Sequence, residues 1–292
     1  MNIRVFTIDS EIESATRLGF STSSYLEDYV EKYDSDVVIR WGNSRWMSSR
    51  TSQGRYVDFK NVINPAKIIR QNCCKAEATK LMAQVVNVPT LWEKKVPTGV
   101  LAVVRPHEHS AGSGFSVQKG PFDVQKGTYA TRYLDVTKEG GEYRVWFCGN
   151  RTMAGRRVKM SCNEEQKFPC RSKWGYSFCD GISKDLRNQT LLAAKKIGLE
   201  FGAADVLFHK GKWYFLELNS APSVDHRVVR EFYQAAMMVL IAKKFPEPVV
   251  KIDAEKKKEN VVVEREITNI ITPVISPTNE VVERNVIEQM SV

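Results

Sequence analysis

Three side chains with hard oxygen donors, Asp205, Glu217 and Asn219, lie close together in the sequence. Asp205 belongs to an apolar run, residues 209–212 predict a turn, and Trp213 begins a second apolar run, so the segment predicts a hairpin. Glu217 and Asn219 are two positions apart and share one face of the returning strand, where Asp205 can meet them. Two carboxylates and an amide oxygen, with no Cys or His beside them, suit Mg²⁺ completed by water and phosphate oxygens rather than Zn²⁺.

A competing interpretation is an ordinary hairpin whose acidic side chains face solvent. Glu217 and Asn219, however, alternate with Leu216 and Leu218 in a strand apolar enough to be central in a sheet. A central strand does not place unpaired polar groups inside without a reason, because each one costs free energy when it leaves water. The Ser220-Ala-Pro turn that follows is small enough to let a ligand approach.

The composition describes an ordinary soluble protein with one to three domains: 292 residues, of which 42% are hydrophobic. No apolar run approaches the roughly 20 residues of a membrane span, and the amino terminus has no secretory pattern, so we expect a cytoplasmic protein without membrane contact. The six Cys form no C-x-x-C pair, which argues against a zinc site and a disulfide framework.

The formal net charge of +9 is unevenly distributed. Residues 251–292 contain 6 basic and 8 acidic side chains, which leaves 37 basic against 26 acidic residues, or +11, for the rest. Such a balance fits a phosphate-rich ligand, an acidic substrate or nucleic acid. Nucleic acid is the least favoured of these partners, because the basic residues are spread out and no zinc-finger, RNP-type or basic-zipper pattern is present.

Strands and helices must hold the candidate site residues in place, and the hydrophobic pattern of the sequence predicts where these elements lie. A strand at 3–8, a helix at 9–18 and a strand at 36–40 predict a small open α/β unit. Residues 41–44 are either its ligand-contacting loop or only a turn. The remaining predicted elements are a helix at 72–86 capped by Asn72, strands at 99–104, 129–134 and 142–147, and helices at 185–201 and 227–244.

Residues 246–292 turn to Lys, Glu and Val with further prolines and no sustained period. This composition predicts a flexible tail that could become ordered on a protein partner.

A glycine-rich loop, Gly112-Ser113-Gly114, follows the strand that ends in Val104-Arg105. Its backbone N–H groups and Arg105 could contact phosphate, although a hairpin with glycine in its turn explains the same residues. The loop lacks the Lys-Ser/Thr ending of a P-loop and the strand-to-helix setting of a Rossmann fingerprint, so both of those classes are disfavoured.

Taken in order, the segments between about 72 and 244 resemble the ATP-grasp superfamily, and within it the carboxylate-amine ligases related to the ribosomal-protein glutamate ligase. The most specific part is Gly198-Leu-Glu-Phe-Gly-Ala-Ala-Asp205 followed by Leu216-Glu217-Leu-Asn219-Ser-Ala-Pro222. It is similar to the family's "LGLDFGAVDV...LEVNTAP" signature. The resemblance implies that Asp205, Glu217 and Asn219 hold one or two Mg²⁺ ions, with Mn²⁺ as a possible substitute, bridging the phosphates of ATP.

The resemblance implies further ATP contacts. Lys75 would bind ATP, Arg105 and the loop Gly112-Ser113-Gly114 would meet its phosphates, and Arg132-Tyr133-Leu134 would be the hinge that binds adenine through its backbone. The family usually has Lys where this chain has Arg105. Two Cys also separate Asn72 from Lys75 in what is otherwise an Asn-Lys pair.

A second set of basic residues would act on the transferred group. Glu142-Tyr-Arg144-Val145 is similar to the family's "EYRV", whose Arg contacts the phosphoryl or carboxylate group. Lys159 and Arg171, with Arg157, are candidate anion-binding catalytic residues, and solvated surface charges explain these three equally well.

The implied fold is α/β (α+β): two α+β subdomains of an ATP-grasp fold clasp ATP, and a small open α/β domain precedes them. The corresponding segments are an N-terminal domain at 1–70, a small subdomain with the glycine-rich loop at 71–134, a C-terminal subdomain with the metal site at 135–245, and the tail at 246–292.

The implied activity is an ATP- and Mg²⁺-dependent ligase that joins a carboxylate on an amino acid, peptide or protein to an amine. A carboxylate is a poor electrophile, so ATP first converts it to an acyl phosphate, and positioning plus electrostatic stabilisation supply the catalysis. One alternative is a catalytically inactive nucleotide-binding scaffold whose tail recruits a partner. The other is a basic nucleic-acid-binding protein.

Overall fold

The computed structural model of the chain describes residues 1–7, 12–23, 36–42, 61–107, 114–136, 141–159, 174–179 and 181–246. The tail predicted at 246–292 lies outside these residues except for Pro246. No helix in the described ranges combines the length and the apolar character needed to cross a membrane. Three sheets of four, four and five strands, with a separate two-stranded pair, make up the β structure that is described.

The first sheet is parallel, with the strand order β2-β1-β3-β4. Its elements are β1 Ile3–Phe6, α1 Ile12–Thr16, β2 Ser21–Ser23, β3 Val37–Arg40 and β4 Val62–Ile63. All four residues of β3 are buried, as is typical of a parallel strand covered on both faces. The helix predicted to reach Leu18 stops at Thr16, because Leu18 and Gly19 turn back on the last carbonyls and Gly19 takes a φ of 79°.

Two short helices replace the single helix predicted at 72–86. They are α2 Ala66–Cys73 and α3 Lys75–Met82, separated by Cys74 in an extended conformation with a ψ of 90°. The prediction of Asn72 as a helix cap is wrong, because Asn72 lies inside α2 and its amide donates to the carbonyl of Leu218 in another element. The tertiary hydrogen bond therefore overrode the local capping preference of Asn.

The second sheet is antiparallel with the order β5-β10-β7-β8, and β6 pairs with β9 beside it. Its elements are β5 Leu91–Trp92, β6 Lys95–Val96, β7 Leu101–Pro106, β8 Ser116–Lys119, β9 Phe122–Asp123 and β10 Thr128–Arg132. The strands predicted at 99–104 and 129–134 are β7 and β10, each shifted by one or two residues. Arg105 pairs directly with Tyr129 across these two strands.

The third sheet is antiparallel with the order β13-β12-β11-β14-β15 and carries most of the candidate site. Its strands are β11 Gly141–Cys148, β12 Arg151–Lys159, β13 Trp174–Phe178, β14 Phe201–His209 and β15 Lys212–Asn219, and its two helices are α4 Lys184–Ile197 and α5 Arg227–Lys244. The bounds predicted for α5 are confirmed. Helix α4 ends four residues earlier than predicted, because Gly198 caps it in the left-handed region with a φ of 94°.

A buried aromatic group joins the first sheet to the third. Trp41 stacks on Phe201 with ring centroids 5.0 Å apart and meets the edge of Tyr233 at 5.5 Å. All three side chains are fully buried in one hydrophobic core between the first sheet, β11, β14 and α5. Residues 41–44 were predicted to be either a ligand-contacting loop or only a turn. Trp41 is a core residue, and residues 43 and 44 lie outside the described residues.

Asn64 ties the same two sheets together through polar contacts. Its Nδ2 donates to the carbonyl of Phe201 at 3.0 Å, and its Oδ1 accepts from the backbone N–H of Glu200 at 2.7 Å. The residue is completely buried and has a φ of 55°, a conformation that Asn tolerates better than most residues.

Replacing Asn64 with Ala should lower the free energy of unfolding by about 2 kcal/mol, since it leaves buried backbone groups unpaired and puts a Cβ-only side chain at positive φ. Urea denaturation followed by tryptophan fluorescence measures this change. A loss below about 0.5 kcal/mol would show that water replaces the side chain at little cost.

Candidate functional site

The predicted hairpin is formed by β14 and β15, and it brings the three oxygen donors together. Asp205 pairs with Glu217 and Ala203 pairs with Asn219, so the side chains at 205, 217 and 219 share one face. Asn219 Nδ2 lies 3.2 Å from Asp205 Oδ2 and 3.4 Å from Glu217 Oε1. The predicted convergence of these three side chains is present in the structure.

A β-bulge makes this arrangement compatible with the core. Glu217 pairs with Asp205, but the next pair along is Phe215 with Val206, so Leu216 is an extra residue in β15. Phe215 and Leu218, three positions apart, consequently pack in the same core although strict alternation would place them on opposite faces. Residues on both sides of Glu217 are therefore held in the core, Phe215 before it and Leu218 after it.

Arg144 on β11 pairs with Asp205 on β14 and holds its carboxylate with two hydrogen bonds. Arg144 Nε donates to Asp205 Oδ1 at 2.8 Å and Nη2 donates to Oδ2 at 2.9 Å. Burial would raise the pKa of Asp205, but the charge and hydrogen bonds of Arg144 outweigh it and hold that pKa well below its usual range. Burial likewise works against the charged guanidinium of Arg144, and Asp205 outweighs it and raises its pKa. Both groups are therefore charged at neutral pH.

Two more charged groups extend this network along β11 and β12. Arg157 Nη1 lies 3.7 Å from Glu142 Oε2, and both side chains are largely buried. Burial and the negative charge of Asp205 raise the pKa of Glu142, while Arg157 opposes that shift. Arg157, which the sequence suggested as an anion-binding residue, thus lies within electrostatic reach of Asp205.

Helices α2 and α3 meet the β14–β15 hairpin at the carbonyl of Leu218. Asn72 Nδ2 donates to that oxygen at 2.8 Å and Lys75 Nζ donates to it at 2.9 Å. Lys75 Nζ also lies 3.7 Å from Glu217 Oε2. The structure therefore places Lys75 beside the oxygen donors.

Asn72 is a site-adjacent residue that sequence reasoning assigned to a different role. It is buried, and within the described part of the chain its Oδ1 has no hydrogen-bond partner. The signal that could have found it is its spacing of three from Lys75, which places the two side chains on one face of a helical segment.

Replacing Asn72 with Ala should weaken Mn²⁺ binding about 10-fold, because Leu218 lies between Glu217 and Asn219 and its carbonyl then keeps only the bond to Lys75. Electron paramagnetic resonance of free Mn²⁺ measures the affinity. Asn64→Ala is the matched control: it also removes a buried Asn bound to a strand carbonyl, but that carbonyl belongs to Phe201, which does not pair with the strand of Glu217 and Asn219, so Mn²⁺ affinity should be unchanged. Equal affinity in wild type and Asn72→Ala would contradict a positioning role.

The second sheet brings Arg105 to the same region. Burial raises the pKa of Tyr129, the charge and hydrogen bond of Arg105 lower it, and the negative charge of Glu217 raises it further. Tyr129 is thus close to both Arg105 and Glu217. The backbone N–H of Lys75 also donates to the carbonyl of His107, directly after β7, at 3.2 Å. Lys75 therefore joins the end of β7, the strand that carries Arg105, to Glu217.

In the predicted adenine hinge, residues 132–134, two of the three backbone N–H groups are already hydrogen-bonded to other parts of the protein. The N–H of Arg132 donates to the carbonyl of Thr90, and that of Tyr133 donates to the carbonyl of Leu101, both at 2.9 Å. A backbone contact from this segment to a base would therefore come from its carbonyls or from Leu134.

The remaining predicted site residues are only partly described. Gly114 precedes β8 with a φ of 70°, whereas Gly112 and Ser113 lie outside the described residues. Lys159 is the last residue of β12, where its backbone pairs with Trp174. Arg171 lies outside the described residues.

The donor set fits a hard divalent cation. Asp205 Oδ2 and Glu217 Oε1 both lie within 3.4 Å of one atom, Asn219 Nδ2, so their oxygens already face a common point. Turning the Asn219 amide would present its oxygen there, giving three oxygen ligands with room for water or phosphate. No group of three or more His, Cys, Asp or Glu side chains suited to a metal occurs among the described residues, so this mixed carboxylate and amide set is the metal-binding candidate.

No protein-family model and no curated protein matches the sequence. Solved structures do match its fold. A D-alanine–D-alanine ligase from Bacillus anthracis aligns with a TM-score of 0.57 and 12% identity, covering 84% of this chain and 97% of the ligase. The ATP-grasp ligase PsnB, complexed with a minimal precursor, Mg and ADP, aligns with a TM-score of 0.52 and 14% identity, covering 83% of this chain and 97% of PsnB.

The macrocyclase MdnC from Microcystis aeruginosa MRC, bound to the precursor peptide MdnA, aligns with a TM-score of 0.52 and 12% identity. The match covers 81% of this chain and 99% of the macrocyclase. Each of the three alignments covers more than four fifths of this chain. The chain therefore has the fold of the ATP-grasp superfamily.

Proposed function

We propose that this protein is an ATP- and Mg²⁺-dependent ligase that joins a carboxylate to an amine and releases ADP and phosphate. The observation that carries the proposal is the convergence of Asp205, Glu217 and Asn219 next to Lys75 within an ATP-grasp fold, with Arg105 on the strand whose end contacts Lys75. Hard oxygen donors facing two basic side chains suit a cation and the phosphates that it neutralises.

In this proposal Asp205, Glu217 and Asn219 hold one or two Mg²⁺ ions, for which Mn²⁺ can substitute. The cation would neutralise charge on the ATP phosphates. Lys75 and Arg105 bind the phosphates, and the loop at 112–114 covers them. The segment Arg132-Tyr133-Leu134 binds adenine.

Arg144, with Lys159 and Arg171, is proposed to stabilise the group that is transferred. The carboxylate attacks the terminal phosphorus of ATP, ADP leaves, and the resulting acyl phosphate is attacked by the amine with loss of phosphate. These three guanidinium and ammonium groups would balance the charge that spreads over the phosphoryl oxygens. Neither step uses a Ser or Cys nucleophile, which agrees with a site built from oxygen donors and cations.

A peptide or protein is the substrate class that the comparisons favour. PsnB was solved with a minimal precursor and MdnC with a precursor peptide, whereas the D-alanine–D-alanine ligase is named for a much smaller substrate. We therefore propose that the carboxylate belongs to an amino acid side chain or terminus within a peptide, in a protein that works in the cytoplasm.

The test is ADP release from purified protein supplied with Mg²⁺, ATP and pools of peptides and amines, coupled to pyruvate kinase and lactate dehydrogenase. The expected result is Mg²⁺-dependent ADP release that requires both an acid and an amine, with a product mass equal to the sum of the two minus water. ADP release that ignores both substrates would contradict ligation.

A nucleotide-binding scaffold without turnover is the second candidate. It is favoured by Arg144, which occupies both oxygens of Asp205 in the structure, and by the Arg at position 105. Calorimetry that detects Mg²⁺-dependent ATP binding, together with no ADP release in any substrate pool, would select it.

A further inference from the structure

A cavity of about 480 Å³ lies at the margin of the third sheet, between the β11–β12 turn, the start of α4 and the first half of α5. We call it the basic groove. Its lining consists of Arg151, Thr152, Ile182, Lys184, Arg187 and Phe232. Its walls therefore combine three cationic side chains with an aromatic ring and an aliphatic side chain.

The charge of the basic groove is not balanced locally. Among the residues that the structure describes, no acidic side chain lines it. The nearby Asp185 does not line the groove, and its two carboxylate oxygens accept from the neutral amide of Gln189 at 3.0 and 2.9 Å; its single negative charge offsets only part of the three cationic charges. Arg187 Nη2 donates to the carbonyl of Asn150 at 3.1 Å, which holds its guanidinium against the β11–β12 turn. Cations placed together without a partner repel one another and favour an anionic ligand.

The basic groove lies along the same strand as the candidate site. Arg144 pairs with Gly155 on β12, and Arg151 begins that strand. Positions 151 and 155 are on one face of β12 and are about 13 Å apart at the usual rise of a strand. Trp146 and Met153 fill the face between these two positions, so a peptide that reaches both the groove and the pair of Arg144 with Asp205 would pass around the edge of the sheet and be longer than four residues.

We propose that the basic groove anchors an acidic segment of the peptide substrate, with Phe232 and Ile182 receiving an apolar side chain between the acidic ones. The inference rests on the proposed function, because it assigns the groove to the substrate of that reaction. A cavity of this size exceeds a single inorganic anion, and its apolar wall would be left uncovered by one. Anchoring at this distance would raise the local concentration of the reacting carboxylate without a contact at the metal.

The test is fluorescence anisotropy of a short labelled peptide that alternates Glu with Leu, titrated with the full-length protein without ATP. The wild type should bind this peptide and not the matched peptide with Lys in place of Glu. The variant Arg151→Gln/Lys184→Gln/Arg187→Gln should bind about 10-fold more weakly, since three ion pairs at a partly exposed site are lost. Raising the salt concentration should reduce the difference between the two proteins.

The matched control is Lys195→Gln/Lys196→Gln/Lys243→Gln, which removes the same formal charge from exposed positions at the other ends of α4 and α5. It should bind the acidic peptide as the wild type does. Equal weakening in both triple variants would overturn the proposal, because net charge and not the groove would then explain the binding. So would unchanged affinity in the groove variant.

The acidic residues of the chain's own tail are the other possible occupant. Binding that occurs only after Glu280, Glu283 and Glu288 are all replaced with Gln would assign the groove to the tail and overturn the proposal. Calorimetric ATP binding, measured in parallel, keeps this test separate from the proposed function. If the wild type binds ATP but not the peptide, the role of the groove is wrong and the proposed function is unaffected. If the wild type does not bind ATP, the proposed function itself is wrong.

Discussion

Replacing Glu217 with Gln is expected to reduce Mg²⁺-dependent ADP formation by about 10²- to 10³-fold, the usual cost of losing one charged or hydrogen-bonding group at a phosphoryl-transfer or oxyanion site. Glu217 supplies one of two carboxylates at the proposed cation site, and Gln keeps its shape but not its charge. The fold should survive, because Gln has nearly the same size and the neighbouring Lys75, 3.7 Å away, keeps its hydrogen bond to the carbonyl of Leu218. Coupled ADP release measures the rate, and Mn²⁺ resonance measures the affinity of the metal.

Glu200→Gln is the matched control for this substitution. Glu200 is also a carboxylate held by a lysine, with Lys244 Nζ 2.6 Å from its Oε1, but it lies at the start of β14 near Asn64 and away from the three donors. ADP formation and Mn²⁺ affinity should stay at the level of the wild type. Equal activity of Glu217→Gln and the wild type would remove Glu217 from the proposed metal site.

Replacing Arg144 with Ala is expected to lower the free energy of unfolding by about 3–5 kcal/mol at neutral pH, as for other broken buried ion pairs. The side chains of Arg144 and Asp205 are only 18% and 10% exposed, so Asp205 would keep a buried charge without its principal partner. Urea denaturation in the presence of EDTA measures the loss. Mg²⁺ should restore part of it, because a cation bound at Asp205 would replace the missing guanidinium.

Arg227→Ala is the control for Arg144→Ala. Arg227 also donates to a carboxylate, Glu231, at 2.7 Å, but the two side chains are 78% and 55% exposed. Water screens such a pair, so its loss should change the free energy of unfolding by less than about 0.5 kcal/mol. If the free energy of unfolding fell by a similar amount in both variants, burial would not explain the effect of Arg144→Ala.

The pH dependence of stability gives an independent check on the same pair. The pKa of Asp205 is lowered in the folded protein, so the ion pair contributes stability that is present above the unfolded pKa of about 3.9 and is lost as the pH falls toward the folded value. The stability difference between wild type and Arg144→Ala should therefore shrink as the pH falls below about 4. A difference that is the same at pH 7 and at pH 3 would show that Asp205 keeps its ordinary pKa.

The pairing of Arg144 with Asp205 also bears on how the site would open to a cation. Both oxygens of Asp205 accept hydrogen bonds from Arg144, and one of them is also 3.2 Å from Asn219. A cation bound by Asp205 would have to share this carboxylate or displace the guanidinium. Displacement would free Arg144 beside the metal, which is where the proposed reaction needs a cationic group for the carboxylate or phosphoryl oxygens.

Local patterns were sufficient for the hairpin and its face. The turn at 209–212, the spacing of two between Glu217 and Asn219, and the apolar runs on both sides are enough to place the three oxygen donors together, because a strand alternates its side chains regardless of what surrounds it. The same is true of α5, whose apolar positions repeat over five turns and whose bounds agree with the prediction. Resemblance of the ordered segments was enough to indicate the ATP-grasp fold.

Long-range contacts decided what local patterns could not. Asn72 has the residue type of a helix cap, yet it lies within α2 because its amide bonds to Leu218, 146 residues away. The bulge at Leu216 lets Phe215 and Leu218 pack in one core with side chains from other elements, and the basic groove assembles from a strand turn and two helices that are distant in the chain. Residue types and short spacings therefore determined the donor set and its strand, whereas the partners of Asp205 and Leu218 and the site of the groove came from packing between elements. The free energy of such contacts depends on groups that are far apart in the sequence and leave no local pattern.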